Sequence, residues 1–551
     1  MREPIASLQS GTSGRVRDYC LRGRGIVPLA WLVLAAGTLF LAAPTVRDTG
    51  LDYDEALYGH LTRDFLEGRH CPQHMPGSQS IDLWDKPFPV FVQGYLGAVK
   101  CWLLLPAFSV FGASIPVMRL TMVALGLVGV LLLMLFVHRF RGRTEALLTG
   151  ALLAVDPAFF FPTVCDWGAF VPSFFFRCAG LFCAGLWWRN RHPLWLALAG
   201  GTFGLAFLNK IDFVVFMGAL GIAVLLTRTR QVAQSLRVNR GHWAAGLVCF
   251  LIAGSLMLVN CARWFRSILE VQSGARAGEL DTKISIVGSV LDGSYFHRLM
   301  EVGGLFHKMF DAPSRVWTPF GWVLAVAILI LVFQAVKDAR SKTTGWPLFL
   351  LAGLGISTLG FFILPEAVRI HHLLLAYPFP QLIIAAVIAK AWCFQSPHVL
   401  KLQAVRLAGV AAVVGLLGGN LRALRMTQHF VSTTGGRGSW SKALERFAHE
   451  MRAQDDIGIA SLDWGFHEQL SFLTDAPKLY ELTWNIQEGK PVSILPDPNF
   501  LYLIHPPEFS LFDYGQSYLQ AARQADPRLV VDSRTNLEGR VVFQFFRFSG
   551  R

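Results

Sequence analysis

The first cluster of acidic residues lies in the stretch 52–89, directly after the first long apolar segment. It contains Asp54 and Glu55 near its start, and the pair Asp85 and Lys86 near its end. A carboxylate in such a place can take a proton from a hydroxyl group, and a lysine can hold an anionic group. These residue types predict the catalytic loop of a membrane enzyme.

Local spacing indicates which acid is available for chemistry. Asp52 and Glu55 stand at the spacing of a capping box, which predicts a short helix over residues 56–66 that ends at Gly68. Asp54 has no part in that arrangement, so it is the first candidate for a base. The alternative is that Asp54 and Glu55 only stabilise the start of a helix through its dipole.

Further ionisable residues flank later apolar segments, where charge is costly near lipid and often functional. Those expected to bind substrate are Asp166, Lys210, Arg369, His371 and His372. Asp166 could equally cap a turn, and Lys210 could simply pair with Asp212. The three potential cations at 369, 371 and 372 favour an anionic ligand. A metal on the two histidines is disfavoured, because adjacent helical residues point about 100° apart.

Composition identifies the environment of the fold. Of the 551 residues, 53% are hydrophobic and only 16% are charged. Apolar runs long enough to cross a bilayer recur through most of the sequence, so we expect a polytopic α-helical membrane protein. The net charge of +13 does not indicate a nucleic-acid partner, because the basic residues form short clusters between apolar runs. Most cysteines lie in apolar runs, and whether Cys71 and Cys165 pair stays open.

The basic clusters predict the orientation of the chain. Residues 1–25 form a basic N-terminus that should stay in the cytoplasm, and residues 26–46 should be the first spanning helix. The segment 88–112 is apolar, but treating it as a span would send the basic residues 138–143 outward. We therefore expect it to lie along the outer membrane surface as an interfacial or re-entrant helix, within an outer loop of residues 47–114.

About eleven spanning helices follow from this assignment, and every second loop, which is basic, then lies in the cytoplasm. The later spans are expected at residues 115–137, 147–161, 169–188, 194–208, 213–226, 243–261, 317–336, 348–364, 373–394 and 405–424. The acidic loop and the other candidate residues all lie outside, as does a long loop over residues 263–315.

After residue 424 the composition becomes that of a soluble domain. Residues 425–551 alternate expected strands with expected helices, which predicts a small extracytoplasmic α/β domain. The strands are expected at 457–462, 500–504, 529–532 and 540–548, and the helices at 468–473 and 516–525. Asp463 and Trp464 follow the first strand, where a Trp could stack on a sugar ring, although a buried core Trp is the commoner outcome.

Together, these residues suit transfer from a lipid-linked phosphate. A phosphate leaving group is already anionic, so it needs cations rather than a strong acid, while the attacking hydroxyl needs a base. One carboxylate opposite such a leaving group predicts a single displacement with inversion. A transporter or flippase of a lipid-linked or anionic substrate is the alternative, although its charges would be expected near the middle of the bilayer. A membrane-anchored scaffold would need neither the acids nor the cations.

The first outer loop resembles that of a known family. The order Asp54-Glu55, Tyr58, Leu66-Glu67-Gly68 and Asp85-Lys86-Pro87-Phe88-Pro89 is similar to the polyprenyl-phosphate-sugar-dependent membrane glycosyltransferases of the GT-C fold. These include the protein O-mannosyltransferases and the aminoarabinose transferases, the family 39 type. The likeness covers residues 1–424 and implies a GT-C-like membrane domain over residues 26–424.

That resemblance implies an activity, partners and residue roles. The activity would be transfer of a hexosyl or pentosyl group from a polyprenyl-phosphate donor to an unidentified acceptor of the cell envelope, at a bacterial inner membrane. Asp54 would be the base, Glu55 and Asp85 would position the acceptor or a divalent metal, and Lys86 would contact the donor phosphate. Asp166 corresponds to the family's second acidic position. No other cofactor is implied, and a divalent metal stays an open alternative.

Overall fold

The computed structural model describes residues 25–70, 75, 77–272, 279–311, 313–340, 345–364, 368–452, 457–475, 478–482, 497–511 and 514–549. Most of the basic N-terminus and Cys71, whose pairing with Cys165 was left open, therefore lie outside the described residues. Cys165 itself is a buried thiol.

The N-terminal four-fifths of the described chain is a helical bundle. Its helices are α1 Ile26–Asp48, α2 Tyr53–Glu67, α3 Val99–Phe111, α4 Ile115–Arg141, α5 Arg143–Val155, α6 Pro157–Val164, α7 Phe170–Asn190, α8 Pro193–Asn209, α9 Phe213–Val238, α10 Arg240–Gln272, α11 Glu279–Leu291, α12 Tyr295–Glu301, α13 Phe320–Arg340, α14 Trp346–Ile363, α15 Ile370–Leu373, α16 Phe379–Trp392 and α17 Val399–Thr434. Among the described residues, eight helices are long and apolar enough to cross a membrane, or up to ten if each of two bent pairs is one span. The predicted polytopic helical fold is confirmed. The remaining predicted span, at residues 194–208, forms α8, which has only 17 residues.

The two bent pairs have local causes in the sequence. Helices α5 and α6 meet at 62° where Asp156 precedes Pro157. The proline begins α6 without needing a backbone N–H partner, and the Asp156 carboxylate accepts from the N–H of Ala158 at 2.9 Å. The second break, of 41°, separates the stretch that begins with α15 from α16. It brings polar residues of α15 to the same end of the bundle as α2.

Helix α7 is the inner helix of the bundle. Within its most apolar window 78% of the residues are buried, against 22% for α1. It packs against α4 and α8, and glycines permit close approach, since a Cβ at Gly129 of α4 would lie 3.0 Å from the Phe174 ring. Polar residues on the inner face of α7 are therefore enclosed by protein rather than by lipid.

A β-hairpin follows α2, and this corrects the prediction of one helix over residues 88–112. Strands β1 Gln79–Leu83 and β2 Lys86–Gln93 pair antiparallel, and the short β3 Leu96–Gly97 pairs with the end of β2. Only the second half of the segment is helical, as α3. Proline disfavours the interior of a sheet, but β3 reaches only residues 91–93, so Pro87 and Pro89 lie where β2 has a free edge.

The C-terminal region forms a mixed five-stranded sheet with helices on both faces. Its elements are α18 Ala443–Met451, β4 Gly458–Ser461, α19 His467–Leu473, β5 Leu479–Glu481, β6 Phe500–Ile504, α20 Tyr514–Ala525, β7 Val530–Thr535 and β8 Val541–Arg547. The strand order is β5-β4-β6-β8-β7, with β4 parallel to both of its neighbours. The predicted alternation of strands and helices is confirmed, with α18 and β5 as additions.

Candidate active site

Asp54 lies in the first turn of α2, where the chain enters that helix from α1. The Asp52 carboxylate caps the helix by accepting from the N–H of Asp54 at 3.0 Å, and Gly68 ends it with a φ of 71°. Burial and the neighbouring charge of Asp54 raise the pKa of Asp52 to about 7. The Asp54 side chain is half-buried and lines a cleft of about 160 Å³.

The cleft gathers side chains from elements far apart in sequence. Charged or polar residues that line it include Asp54, Arg177, Lys210, Asp212 and His371. Aromatic residues supply much of the remaining wall, among them Tyr53, Tyr58, Tyr95, Phe170 and Trp464. A concave, largely apolar pocket with a few converging charges is the usual form of a small-ligand site.

The Asp166 carboxylate lies behind the cleft rather than in it. Asp166 is fully buried, and its carboxylate pairs with Lys100 of α3 at 2.9 Å. The same ammonium group donates to the carbonyl oxygens of Asp166 and Gly168, at 3.0 and 2.8 Å. Burial raises the pKa of Asp166 to about 7, although the positive charge of Lys100 opposes that shift.

This turn forms the floor beneath Asp54. Asp166 and Gly168 both have positive φ, at 53° and 56°, which is a strained conformation for an aspartate. A Cβ added to Gly168 would lie 3.9 Å from Asp54 Oδ2. Lys100 therefore stabilises the turn at residues 166–168, which lies next to the Asp54 carboxylate.

A chain of hydrogen bonds links the two predicted histidines to the N-terminal ends of α7 and α9. Trp167 Nε1 donates to His371 Nδ1 at 3.2 Å, and His371 Nε2 lies 3.1 Å from His372 Nε2. His372 Nδ1 lies 3.0 Å from Asp212 Oδ2, which also pairs with Lys210 Nζ at 2.9 Å. Because the indole can only donate, every contact is satisfied when both histidines are neutral and each donates toward Asp212.

Lys210 and Asp212 form a charged pair at the end of this chain. Burial alone would raise the pKa of Asp212, but Lys210 and His372 lower it to about 2. Asp212 therefore stays ionised over the whole physiological range. The prediction that Lys210 could pair with Asp212 and the prediction that it could face substrate are compatible, because Lys210 also lines the cleft.

The C-terminal domain closes one side of the cleft. Trp464, in the loop between β4 and α19, lines the cleft with its ring 4.6 Å from that of Tyr53. It is half-buried, so it is not the core residue that is commoner at such a position. Its neighbour Asp463 is directed inward instead, accepting from the Ser510 hydroxyl at 2.6 Å.

Buried polar contacts hold this domain on α2. His60 Nε2 lies 2.5 Å from Glu468 of α19, and His60 Nδ1 lies 3.3 Å from Asp64. Burial alone would lower the pKa of His60, but the carboxylates of Glu468 and Asp64 raise it to about 10. In addition, Arg63 and Arg69 donate to the carbonyl oxygens that end α19, at distances of 2.8 to 3.3 Å.

Glu55 does not reach the cleft. It is fully buried, and both of its oxygens accept from Arg119 of α4, at 3.0 to 3.3 Å. Arg119 also donates to carbonyl oxygens at the end of α1 and in the loop before α2. Glu55 thus links α2 to the bundle instead of completing the predicted capping box, and it lies outside the cleft in which it was expected to position an acceptor or metal.

Asp85 and Lys86 lie at the far end of α2 from Asp54. Asp85 is exposed in the hairpin turn, with φ of 58°, and Lys86 Nζ donates to the carbonyl oxygen of Leu66 at 2.6 Å. Leu66 is twelve residues beyond Asp54, which corresponds to about 18 Å along the helix. The expectation that these two residues join Asp54 in one site is therefore not met by this conformation.

Arg369 lies beside the site without lining the cleft. Its guanidinium group stacks on Phe306 at 4.3 Å, and its charge acts on Asp52, whose pKa it lowers against the larger effect of burial. Arg369 has no ion pair with any described residue. It is close in sequence to His371 and His372, with which it was predicted to bind an anionic ligand.

No metal site is evident in the described part of the chain. No group of three or more His, Cys, Asp or Glu residues there stands close enough to hold an ion. Of the two acids expected to help position a metal, Glu55 is paired with Arg119, and Asp85 is exposed in the hairpin turn.

Two residues at the site escaped the sequence analysis. Lys100 lies in a segment that was expected on the membrane surface, and Arg177 lies inside a predicted span. A signal was present for both, since a lysine or arginine within an apolar run is costly unless it has a partner or a function.

Part of the sequence matches a known family. Residues 97–258 match the model described as dolichyl-phosphate-mannose-protein mannosyltransferase. The matched segment begins at β3 and includes Asp166, Arg177, Lys210 and Asp212. No curated protein sequence matches the chain.

The fold is similar to that of ArnT from Cupriavidus metallidurans. Against the crystal structure bound to undecaprenyl phosphate, the TM-score is 0.55 at 13% identity, covering 93% of this chain and 97% of ArnT. The apo state gives the same TM-score at 14% identity and the same coverage. The archaeal oligosaccharyltransferase AglB from Archaeoglobus fulgidus, in complex with an inhibitory peptide and a dolichol-phosphate, gives 0.47 at 12% identity, covering 80% of this chain and 63% of AglB. The chain therefore has the fold of ArnT, and its residues 97–258 are similar to the mannosyltransferase family model.

Proposed function

We propose that this protein is a membrane glycosyltransferase that moves a hexosyl or pentosyl group from a polyprenyl-phosphate donor to an acceptor outside the cytoplasm. The observation that carries the proposal is the half-buried carboxylate of Asp54 in a cleft that also holds Lys210 and Arg177. The matched family is named for dolichyl-phosphate mannose, and ArnT binds undecaprenyl phosphate, which supports a lipid-phosphate donor.

In the proposed reaction, a hydroxyl oxygen of the acceptor attacks the anomeric carbon of the donor. The bond from that carbon to the phosphate oxygen breaks, and polyprenyl phosphate leaves with the bonding electrons. Asp54 takes the hydroxyl proton as the new bond forms. A single displacement of this kind inverts the anomeric centre, so a β-linked donor gives an α-linked product.

Cations near the phosphate assist this reaction specifically in its transition state. The donor is a phosphodiester with one negative charge, whereas the departing phosphate monoester approaches two. A nearby positive charge therefore interacts more strongly with the transition state than with the bound donor. This is why the proposal needs no acid for the leaving group.

We assign roles to the remaining candidates by their contacts. Lys210 and His371 line the cleft and are proposed to contact the substrate. His372 orients His371 through their direct contact, and Asp166 supports the turn beneath Asp54. Arg369 is proposed to draw an anionic donor toward the site. Glu55, Asp85 and Lys86 have no part in the proposed chemistry.

The proposal includes an orientation in a bacterial inner membrane. The basic residues of alternate loops support a cytoplasmic N-terminus, with Asp54 and the C-terminal domain outside. A cysteine replacing exposed Lys478 should react with a membrane-impermeant thiol reagent in intact cells, while one replacing exposed Arg139 should not. The opposite pattern would overturn the orientation.

The chemical proposal is tested by Asp54→Asn in liposomes supplied with a synthetic polyprenyl-phosphate sugar. Because a positioned base contributes about 10² to 10⁴-fold in rate, transfer should fall by that factor while the protein stays folded. Asp82→Asn, on the exposed hairpin strand, is the matched control and should be unaffected. Near-normal transfer by Asp54→Asn would remove Asp54 as the base, and NMR evidence of a retained anomeric configuration would reject the single displacement.

A further inference from the structure

Arg177 is a buried cation in the inner helix of the bundle. It lies seven residues after the start of α7, about 10 Å along that helix, and only 1% of its surface is exposed. Its guanidinium group stacks on the Phe216 ring at 4.6 Å, and the residue lines the cleft that also contains Asp54. A charge at this depth in a spanning helix requires a compensating partner.

Arg177 has no direct contact with a negatively charged group in the described part of the chain. Nη1 donates to the backbone carbonyl oxygens of Leu374 and Tyr377, while Nε is buried without a hydrogen-bond partner in the described part of the chain. Arg177 forms no ion pair with any described carboxylate. The Asp212 carboxylate in the same cleft is already paired with Lys210. A buried guanidinium group in this condition is unfavourable unless an anion binds to it.

Neighbouring donors complete an anion site. Ser173 lies one helical turn before Arg177 on the same face, and both line the cleft. The Ser173 oxygen accepts from Asn209 Nδ2 at 2.9 Å, which leaves its own hydroxyl hydrogen free to donate. Lys210 lines the same cleft, and its ammonium group has three hydrogens, so it can donate to an anion there while it stays paired with Asp212. A guanidinium, a hydroxyl and an ammonium group together match the acceptor oxygens of a phosphate.

We propose that Arg177, with Ser173 and Lys210, binds the phosphate group of the lipid-linked substrate. The proposal rests on the proposed function and names the residues that hold its leaving group. The ligand chemistry is a phosphate monoester or diester, supplied by an isoprenoid phosphate. Because the departing monoester carries the greater negative charge, the site should bind polyprenyl phosphate more tightly than the sugar-bearing donor.

Binding, rather than turnover, provides the test. The full-length protein in nanodiscs is titrated with undecaprenyl phosphate, with undecaprenol, and with inorganic phosphate. For Arg177→Met, affinity for undecaprenyl phosphate should fall about 10- to 100-fold, the effect of losing a hydrogen bond to a charged group, while binding of undecaprenol should not change. Arg191→Met is the matched control, since Arg191 also stacks on aromatic rings but caps the opposite end of α7.

A second variant guards against a folding defect. Arg177→Met also removes the donor to Leu374 and Tyr377, whereas Ser173→Ala removes only a hydroxyl group and leaves Asn209 bonded to the carbonyl oxygen of Ala169. Ser173→Ala should weaken undecaprenyl phosphate binding by about 3- to 10-fold. Unchanged affinity in folded Arg177→Met, or an equal loss of undecaprenol binding, would overturn the proposal.

The three ligands distinguish a lipid phosphate from free phosphate. Comparing phosphate binding with sugar transfer distinguishes this inference from the proposed function. Arg177-dependent binding of inorganic phosphate without binding of undecaprenyl phosphate would overturn the lipid as the source. Wild-type protein that binds undecaprenyl phosphate through Arg177 but transfers no sugar would refute the proposed function alone. Normal transfer together with unchanged phosphate binding in Arg177→Met would refute this inference alone.

Discussion

The indole ring of Trp464 lies 4.6 Å from the phenol ring of Tyr53, the residue that precedes Asp54. A residue of the C-terminal domain therefore packs on the first turn of the helix that carries the proposed base. Both rings line the cleft, so a bound ligand would contact the two domains together. The C-terminal domain therefore forms part of the wall of the cleft.

We expect Trp464→Ala to weaken acceptor recognition. An aromatic ring can stack on the apolar C–H face of a sugar, and removing such a ring should raise the KM for the acceptor by about tenfold, with a smaller change in kcat. Trp464→Phe should retain most of the affinity. Steady-state transfer assays against acceptor concentration measure this, with exposed Trp322→Ala as the control. An unchanged KM would show that the acceptor does not touch this wall.

The pair formed by Lys100 and Asp166 should behave as a buried ion pair that supports Asp54. Lys100→Met would leave the Asp166 carboxylate buried without its partner, which costs about 3–5 kcal/mol. The double variant Lys100→Met with Asp166→Asn removes both charges and should recover much of that stability. Thermal unfolding in detergent measures both effects. Equal destabilisation by the single and double variants would contradict the pairing.

Much of the fold was readable from the sequence because the bilayer imposes strong rules. Long apolar runs and alternating basic loops predict the helices within a few residues, and strand spacing predicts the C-terminal sheet. The hairpin at β1 and β2 was missed because residues 88–112 were interpreted as one apolar segment lying on the membrane surface. Pro87 and Pro89 also disfavour a strand. The sheet tolerates these prolines because β3 is too short to pair with them, and the length of that pairing depends on tertiary structure.

The site was only partly predictable, for a related reason. Sequence could mark Asp54, Lys210 and His371 as charges near membrane-spanning helices, and all three line one cleft. It could not show that Glu55, next to Asp54, points away from the cleft and pairs with Arg119. Adjacent residues on a helix point about 100° apart, so only the packing of α2 decides which of the two acids meets the cleft.

We expect Glu55→Gln to act on stability rather than on chemistry. The change leaves the buried Arg119 guanidinium group without a negative partner, a loss of about 3–5 kcal/mol. Asp54→Asn removes a half-buried group and should leave the unfolding temperature nearly unchanged. Comparing the melting temperatures of the two variants in detergent distinguishes these roles. If Glu55→Gln keeps wild-type stability and loses transfer, Glu55 belongs to the reaction instead.

Docking of the C-terminal domain should weaken as pH rises above neutrality. The pKa of His60 is raised from an ordinary value of about 6.5 to about 10 by Glu468 and Asp64, so the folded state favours protonated His60. This stabilisation is fully present below about pH 6.5 and is lost as the pH approaches 10. The unfolding temperature in detergent should therefore fall across that window. His60→Gln should lower stability at pH 6.5 and flatten the slope, whereas exposed His449→Gln should keep it. Parallel pH profiles for wild type and His60→Gln would mean that the charge of His60 does not hold the domain in place.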